Sequence, residues 1–188
     1  RRLLPRPPPA RTERNPTNMN ITIAPASLDK ADSFWRALDA VARERRYLLF
    51  LEAPPIETTR EFMAAVIAKG WSQFFALHEG EVIGWCDVLR HEREGLRHSG
   101  HLGIGLLPPW RGMKVGARLL AAALDDAFRK GLTRLELEVY AANTRARALY
   151  RKFGFVEEGR KRQARYLDGA YEDSILMALL KTNRGFPE

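Results

Sequence analysis

Residues 106–116 read Leu-Leu-Pro-Pro-Trp-Arg-Gly-Met-Lys-Val-Gly, and their chemistry is that of anion binding. An apolar strand stops at Pro108-Pro109, a loop carrying Arg111, Gly112 and Gly116 follows, and a helix opens at Val115 or Gly116. The first helical N–H groups have no partner within the helix. The helix dipole is positive there, and small residues let a phosphate approach the backbone. One such contact contributes only about 0.3–1 kcal/mol when exposed, so several amides must converge before the loop holds a ligand. Taken alone, the same residues also describe an ordinary strand-to-helix turn.

The elements that must position this loop follow from periodicity. A short strand is predicted over 20–24 and a helix over 28–47, with Phe34, Leu38 and Val41 at helical spacing and Ser27 or Asp29 as its cap. After the Pro54-Pro55 break, Thr58-Thr-Arg-Glu61 has the pattern of a capping box for a second helix ending near Gly70. Strands over 73–77 and 82–89 flank a turn at 78–81, and the charged stretch 90–98 reads as a loop. The strand over 101–107 feeds the anion-binding loop, and a helix covers 115–130. A strand over 134–140 alternates Leu135, Leu137 and Val139 with Glu136, Glu138 and Tyr140. A helix over 144–153 stops at Gly154, and strands over 155–166 and 170–179 meet at Asp168-Gly169, a strong turn signal. Antiparallel strands followed by β–α–β–α–β predict a mixed sheet with helices on both faces, an α/β (α+β) fold.

Composition bounds the rest. With 188 residues, 45% hydrophobic and 29% charged, the chain reads as one enzyme-sized globular domain over 19–182, followed by a short tail over 183–188. No apolar run reaches the ~20 residues of a bilayer span, so no membrane partner is expected. Cys86 is the single cysteine, which rules out an intrachain disulfide and fits a cytoplasmic protein. With only four scattered histidines besides, no metal site is expected. The net charge of +8 does not by itself indicate nucleic acid. Five arginines against Glu13 put half of it in residues 1–18, which also hold five of the eleven prolines. That piece is expected to be a disordered basic extension without a signal-peptide core, with Met19 as the native start. A basic tail that grips RNA is the corresponding minority reading.

From Gly103 to Phe155 the chain resembles the GNAT acetyltransferase superfamily. The segment from Leu106 to Leu120 is similar to that family's acetyl-CoA loop. Asn143-Thr-Arg-Ala-Arg-Ala-Leu-Tyr150-Arg-Lys-Phe-Gly-Phe155 is similar to its second motif, with Asn and Tyr seven apart on one helix face. The residues Leu167-Asp-Gly-Ala-Tyr-Glu-Asp173, with Met177, resemble a bacterial branch that acetylates amino acids or protein N-termini. The resemblance implies a mostly antiparallel sheet of about seven strands splayed after the fourth. The pantetheine arm of acetyl-CoA would lie in that opening. Backbone groups at Leu106 and Leu107 would bond the arm, and Asn143 would touch it. Amides of Arg111, Gly112, Met113, Lys114, Val115, Gly116 and Ala117 would hold the pyrophosphate. One departure stands out: Lys114 occupies the first glycine position of the family's Arg/Gln-x-x-Gly-x-Gly pattern. If the backbone there has φ > 0, lysine costs about 1 kcal/mol or more, while its ammonium can face a phosphate.

Acetyl transfer from a thioester to an amine needs a neutral amine, N–H donors for the oxyanion and a proton for the departing thiolate. Tyr150 is the candidate acid, with a core residue of an amphipathic helix as the alternative. Many relatives carry a glutamate at the position of Gly103. Strand alternation puts His101, Gly103 and Gly105 on one face, so the glycines leave space in which His101 could relay a proton through water. A half-exposed strand-start residue is the competing reading of His101. Glu138 and Asp87 are weaker candidates, read as solvent-facing strand residues. Deprotonating a lysine-like amine of pKa ~10.4 at pH 7 costs roughly 4–5 kcal/mol, against about 1 for an α-amine of pKa ~8. A site without a strong carboxylate base therefore suits an α-amine, and a basic domain suits an acceptor bearing a carboxylate.

Arg160, Lys161, Arg162 and above all Arg165 are the candidates to bind that carboxylate, each otherwise a solvated charge. Glu52 is expected at the acceptor entrance, and Trp85 and Trp110 read as packing residues. The reading is an acetyl-CoA-dependent N-acetyltransferase acting on a small-molecule amine. A protein N-terminal (ribosomal-protein-type) acetyltransferase and a non-catalytic acyl-CoA-binding module are the alternatives. A homodimer paired through the last strands remains open.

Overall fold

The computed structural model describes residues 20–183; the expectations for residues 1–18 and for the tail beyond 183 lie outside the described residues. Seven strands form one sheet: β1 (Ile21–Pro25), β2 (Ser72–His78), β3 (Glu81–Arg90), β4 (Ser99–Leu106), β5 (Arg134–Tyr140), β6 (Val156–Leu167) and β7 (Ala170–Leu180). Four helices, α1 (Ala31–Ala42), α2 (Ile56–Ala68), α3 (Val115–Arg129) and α4 (Thr144–Lys152), cover it. The strand order is β1-β2-β3-β4-β5-β7-β6, and every pairing is antiparallel except β4 with β5.

Helices on both faces follow from two cores. Leu119, Leu120, Ala123, Leu124 and Ala127 of α3 pack with Cys86, Val88, Leu102, Leu135 and Leu137 on one side of the sheet, joined by Tyr150 and Phe155. Phe34, Leu38 and Val41 of α1 and Met63 of α2 pack with Phe75, Val82 and Trp85 on the other. Strand β5 matches the sequence expectation residue for residue, because its alternation is uninterrupted. The first helix does not. It ends at Ala42, five residues short of expectation, because Arg45 turns left-handed at φ +57° and the Asp39 carboxylate accepts from the Ala53 amide at 2.9 Å. Its expected cap is also absent: Ser27 donates to Asp29, and neither side chain caps the helix. The second helix starts at Ile56, two residues before the capping-box motif, since Pro55 acts as its N-cap and accepts from the Thr59 amide.

The parallel β4–β5 contact lasts only three pairs, ending at His101↔Glu136. Beyond it β4 continues to Leu106 beside β3, and β5 continues to Tyr140 beside β7. The sheet is therefore splayed between these strands, with α3 starting just past the end of β4.

Candidate active site

The floor of the opening is the free edge of β4. The Leu107 amide donates to Ile83 O at 2.9 Å, so alternation along the antiparallel ladder points the Gly103 and Gly105 backbone groups at β3. The Ile104 and Leu106 amides then face the opening, where no strand competes for them. Of the two backbone positions expected to bond the pantetheine arm, Leu106 keeps its N–H and Leu107 does not. The Leu106 carbonyl is also taken, accepting from Arg111 Nε at 2.8 Å.

The loop beyond it is built to leave amides unpaired. Pro108–Trp110 forms a 3-10 turn in which the Arg111 amide donates to Pro108 O, which removes Arg111 from the expected pyrophosphate set. Among the described residues the next backbone amide to find a carbonyl is that of Arg118, on Lys114 O at 3.1 Å. The amides of residues 112–117 thus converge at the start of α3. Lys114 sits at its N-cap with φ +61°, the left-handed turn normally given to glycine, and Gly112 has φ +88°. A Cβ on Gly116 would stand 3.6 Å from Leu149 of α4, an ordinary packing contact. The residues present fit a diphosphate.

Sequence reasoning missed Arg145. Its Nη2 lies 2.8 Å from where a Cβ on Gly112 would stand, and among the described residues it has no ion-pair partner. With Lys114 it brings a second cation to the amide row. Four arginines and lysines in the span 145–152 were the available signal. Asn143 N-caps α4 through Oδ1, which accepts from the Ala146 amide at 3.2 Å, so only its NH2 end remains for a pantetheine arm.

Tyr150 is 6% exposed in the α3–α4 core, 5.8 Å from the Phe155 ring centroid, and its hydroxyl has no hydrogen-bond partner among the described residues. Burial, aided by Cys86, pushes the phenol well above its ordinary pKa. Cys86 is itself fully buried, with its thiol pushed up by desolvation and then by Asp87, so it is a packing residue rather than a nucleophile.

The opposite face of the opening corrects two expectations. Gly103 and Gly105 do not leave empty space beside His101: a Cβ on Gly105 would lie 2.1 Å from the Trp85 ring, and one on Gly103 would lie 3.0 Å from Asp87 Oδ1. Asp87 is not solvent-facing either. It is 8% exposed, and desolvation raises its pKa to about 7, opposed by Gln73 and the Gly103 backbone. His101 stays solvent-accessible, yet lies against enough protein to lower its pKa, with Glu136 opposing the shift. Glu138 is held by Lys161 and Ser174, each at 2.5 Å.

Of the four basic residues expected near the last hairpin, Arg160 is tied to Asp173 and Lys161 to Glu138, and Arg162 is exposed. Arg165 alone turns inward. Its guanidinium lies 3.9 Å from the Tyr140 ring centroid and pairs with Glu172, while its Nη1 is buried without a hydrogen-bond partner. Glu52 lies exposed in the 43–55 loop beside Arg43, and Arg45 of that loop binds Asp168 at the hairpin turn at 2.6 Å. The two segments therefore meet through this ion pair.

A parallel contact that opens into a splay, ending at a helix start with free amides, defines an acyl-CoA-binding acetyltransferase scaffold. The Acetyltransferase (GNAT) family model matches residues 35–155, and the chain belongs to that family as an N-acetyltransferase. It is 28% identical over 114 residues, 60% of this chain and 70% of the relative, to the L-amino acid N-acetyltransferase AaaT of Escherichia coli K12. It is 36% identical over 76 residues, 40% of this chain and 51% of the relative, to the ribosomal protein bS18-alanine N-acetyltransferase of the same organism. The structure of yncA from Salmonella typhimurium with its cofactor acetyl-CoA superposes with a TM-score of 0.82 at 18% identity, covering 90% of this chain and 98% of that one. GNAT acetyltransferases use acetyl-CoA.

Proposed function

We propose that this chain moves the acetyl group of acetyl-CoA directly onto the α-amine of an amino acid or similarly small carboxylate-bearing metabolite. The observation that carries this reading is Arg165: a half-buried guanidinium, braced by Tyr140 and Glu172, with one buried nitrogen still unpaired. A buried unpaired donor costs about 1–3 kcal/mol, more when charged, and an acceptor carboxylate removes that cost. Glu172 already takes Nε and Nη2, so Nη1 offers the acceptor one charge-assisted hydrogen bond.

In this reading the amides of Gly112, Met113, Lys114, Val115, Gly116 and Ala117 bind the diphosphate, and Asn143 orients the pantetheine arm. The Leu106 amide polarises the thioester carbonyl. The amine nitrogen attacks that carbonyl carbon, the C–S bond breaks, and Tyr150 donates its hydrogen bond to the sulfur as charge develops there. His101, neutral at physiological pH, lines the acceptor side and passes protons to solvent, while Glu52 stands at its entrance.

The test is thiol release from acetyl-CoA with free amino acids, their decarboxylated amines and short peptides. Free amino acids are expected to turn over best, and Arg165→Met to raise their KM about 30–100-fold while leaving acetyl-CoA affinity unchanged. The bS18-alanine relative keeps a peptide N-terminus as the second reading. Turnover confined to peptides selects it.

A further inference from the structure

Strand β3 buries one carboxyl group that the scheme above does not use. From Val82 to Val88 it is covered on both faces, and Asp87 lies within that run. A buried carboxylate ordinarily has a cation beside it, because desolvation is otherwise uncompensated. Asp87 has none. Across β2 its register partner is Gln73, 4% exposed, whose Oε1 and Nε2 are both buried without a hydrogen-bond partner. Across β4 its register partner is Gly103, and Oδ1 lies 3.0 Å from where a Cβ there would stand. The helices over this face present uncharged residues: Phe34, Leu38 and Val41 from α1, and Thr59, Met63 and Val66 from α2. His101, two residues before Gly103 on the same face, is the nearest titratable side chain of β4.

Unsatisfied amide atoms beside a buried carboxylate are expensive, and such a site holds water wherever there is room for one. Its position is specific. Gly103 lies two residues past the last β4–β5 pair, and Asp87 Oδ1 reaches to it on the strand that borders the opening. With no side chain on Gly103, nothing at that position separates the carboxylate from the acceptor side.

We propose that Asp87 is the general base of the transfer, taking a proton from the acceptor ammonium through a water held between it and Gln73 across Gly103. This rests on the direct-transfer reading above. The proton balance is complete: the ammonium gives one proton to Asp87, the attacking amine gives up a second, the thiolate takes one, and the other leaves to solvent with product. Burial that lifts the carboxyl pKa to about 7 suits the role, since the base is then matched to working pH and to an α-amine. Gln73 is a positioning residue for the water.

The experiment compares wild type and Asp87→Asn by thiol release over pH 6 to 10, after calorimetry has shown equal acetyl-CoA affinity. The variant is expected to lose about 10²–10³-fold in kcat at pH 7, and the loss is expected to shrink to under tenfold near pH 10, where the amine deprotonates unaided. The wild-type limb near pH 7 in kcat/KM should vanish in the variant. A kcat within threefold of wild type at every pH overturns the assignment, and so does a loss that is constant with pH, as a structural role would give. Carbon-13 titration of the Asp87 carboxyl in the wild-type protein needs no variant: a midpoint above 6 supports the assignment and one below 6 overturns it. Wild type that binds acetyl-CoA but turns over no amine sinks the transfer reading itself, and the base with it.

Discussion

Glu44 grips Arg111 through both guanidinium nitrogens, at 2.7 and 2.5 Å, while Arg111 Nε holds the Leu106 carbonyl and the guanidinium lies 4.8 Å from the Tyr47 ring centroid. One side chain therefore ties the segment after α1 to the end of β4 and to the loop that opens α3. Both partners are about four-fifths covered, at 20% and 22% exposure, so the pair is better shielded than a surface bridge. Glu44→Ala leaves a half-buried guanidinium without its counter-charge. It is expected to lower urea-unfolding stability by about 1–3 kcal/mol and to raise the KM of acceptor and acetyl-CoA together. A variant that changes only the acceptor KM would show that the two segments are not coupled through this pair.

Lys114 stands where its backbone favours glycine, at φ +61°. Lys114→Gly removes about 1 kcal/mol of left-handed strain and with it one cation beside the free amides. Unfolding stability is expected to rise by that amount while acetyl-CoA affinity falls about 3–10-fold at low salt. The affinity gap should close toward 1 M salt, where charges are screened within about 3 Å. Calorimetry at two ionic strengths measures both.

Asp87 makes a stability prediction separate from catalysis. Its folded pKa of about 7 lies above the unfolded value of ~3.9, so between these limits the folded state binds a proton that the unfolded state does not. Its contribution is most favourable below pH 4 and is lost as pH rises through 7. Asp87→Asn keeps the neutral form throughout. Relative to wild type it is expected to gain about 2–4 kcal/mol in stability between pH 4 and 8, read from urea midpoints at each pH.

The parts of this molecule legible in its sequence are those fixed by neighbours along the chain. Alternation set β5, Gly154 stopped α4 at φ +90°, and Asp168-Gly169 turned the last hairpin. The anion loop was legible as unpaired amides beside small residues. What failed depends on partners far away. Residues 43–47 have helix-compatible composition, yet Glu44 is drawn to a residue 67 positions on and Arg45 to one 123 positions on. Trp85 and Asp87 fill the hollows of Gly105 and Gly103, which alternation alone presented as free space. A signal for Asp87 existed: a single carboxylate inside the run Val-Ile-Gly-Trp-Cys-Asp-Val-Leu marks a strand buried on both faces.

Tyr150 separates structure from chemistry most cleanly, because its hydroxyl holds nothing together. The ring packs against Phe155 and the α3 core, whereas the hydroxyl has no protein partner among the described residues. Its pKa is pushed well above that of a free phenol, while a thiol leaves with a pKa of ~8.5, so full proton transfer to the sulfur runs uphill. The phenol therefore acts chiefly as a hydrogen-bond donor to developing charge, worth about 1.5–3 kcal/mol when the acceptor is ionic. Tyr150→Phe is expected to keep its melting temperature and bind acetyl-CoA within twofold of wild type, yet to turn over about 10–100-fold more slowly. The deficit should shrink with an acyl donor whose thiol is more acidic, since its thiolate needs less help. Unchanged turnover, or a deficit indifferent to the leaving group, would remove Tyr150 from the reaction and leave it a core residue.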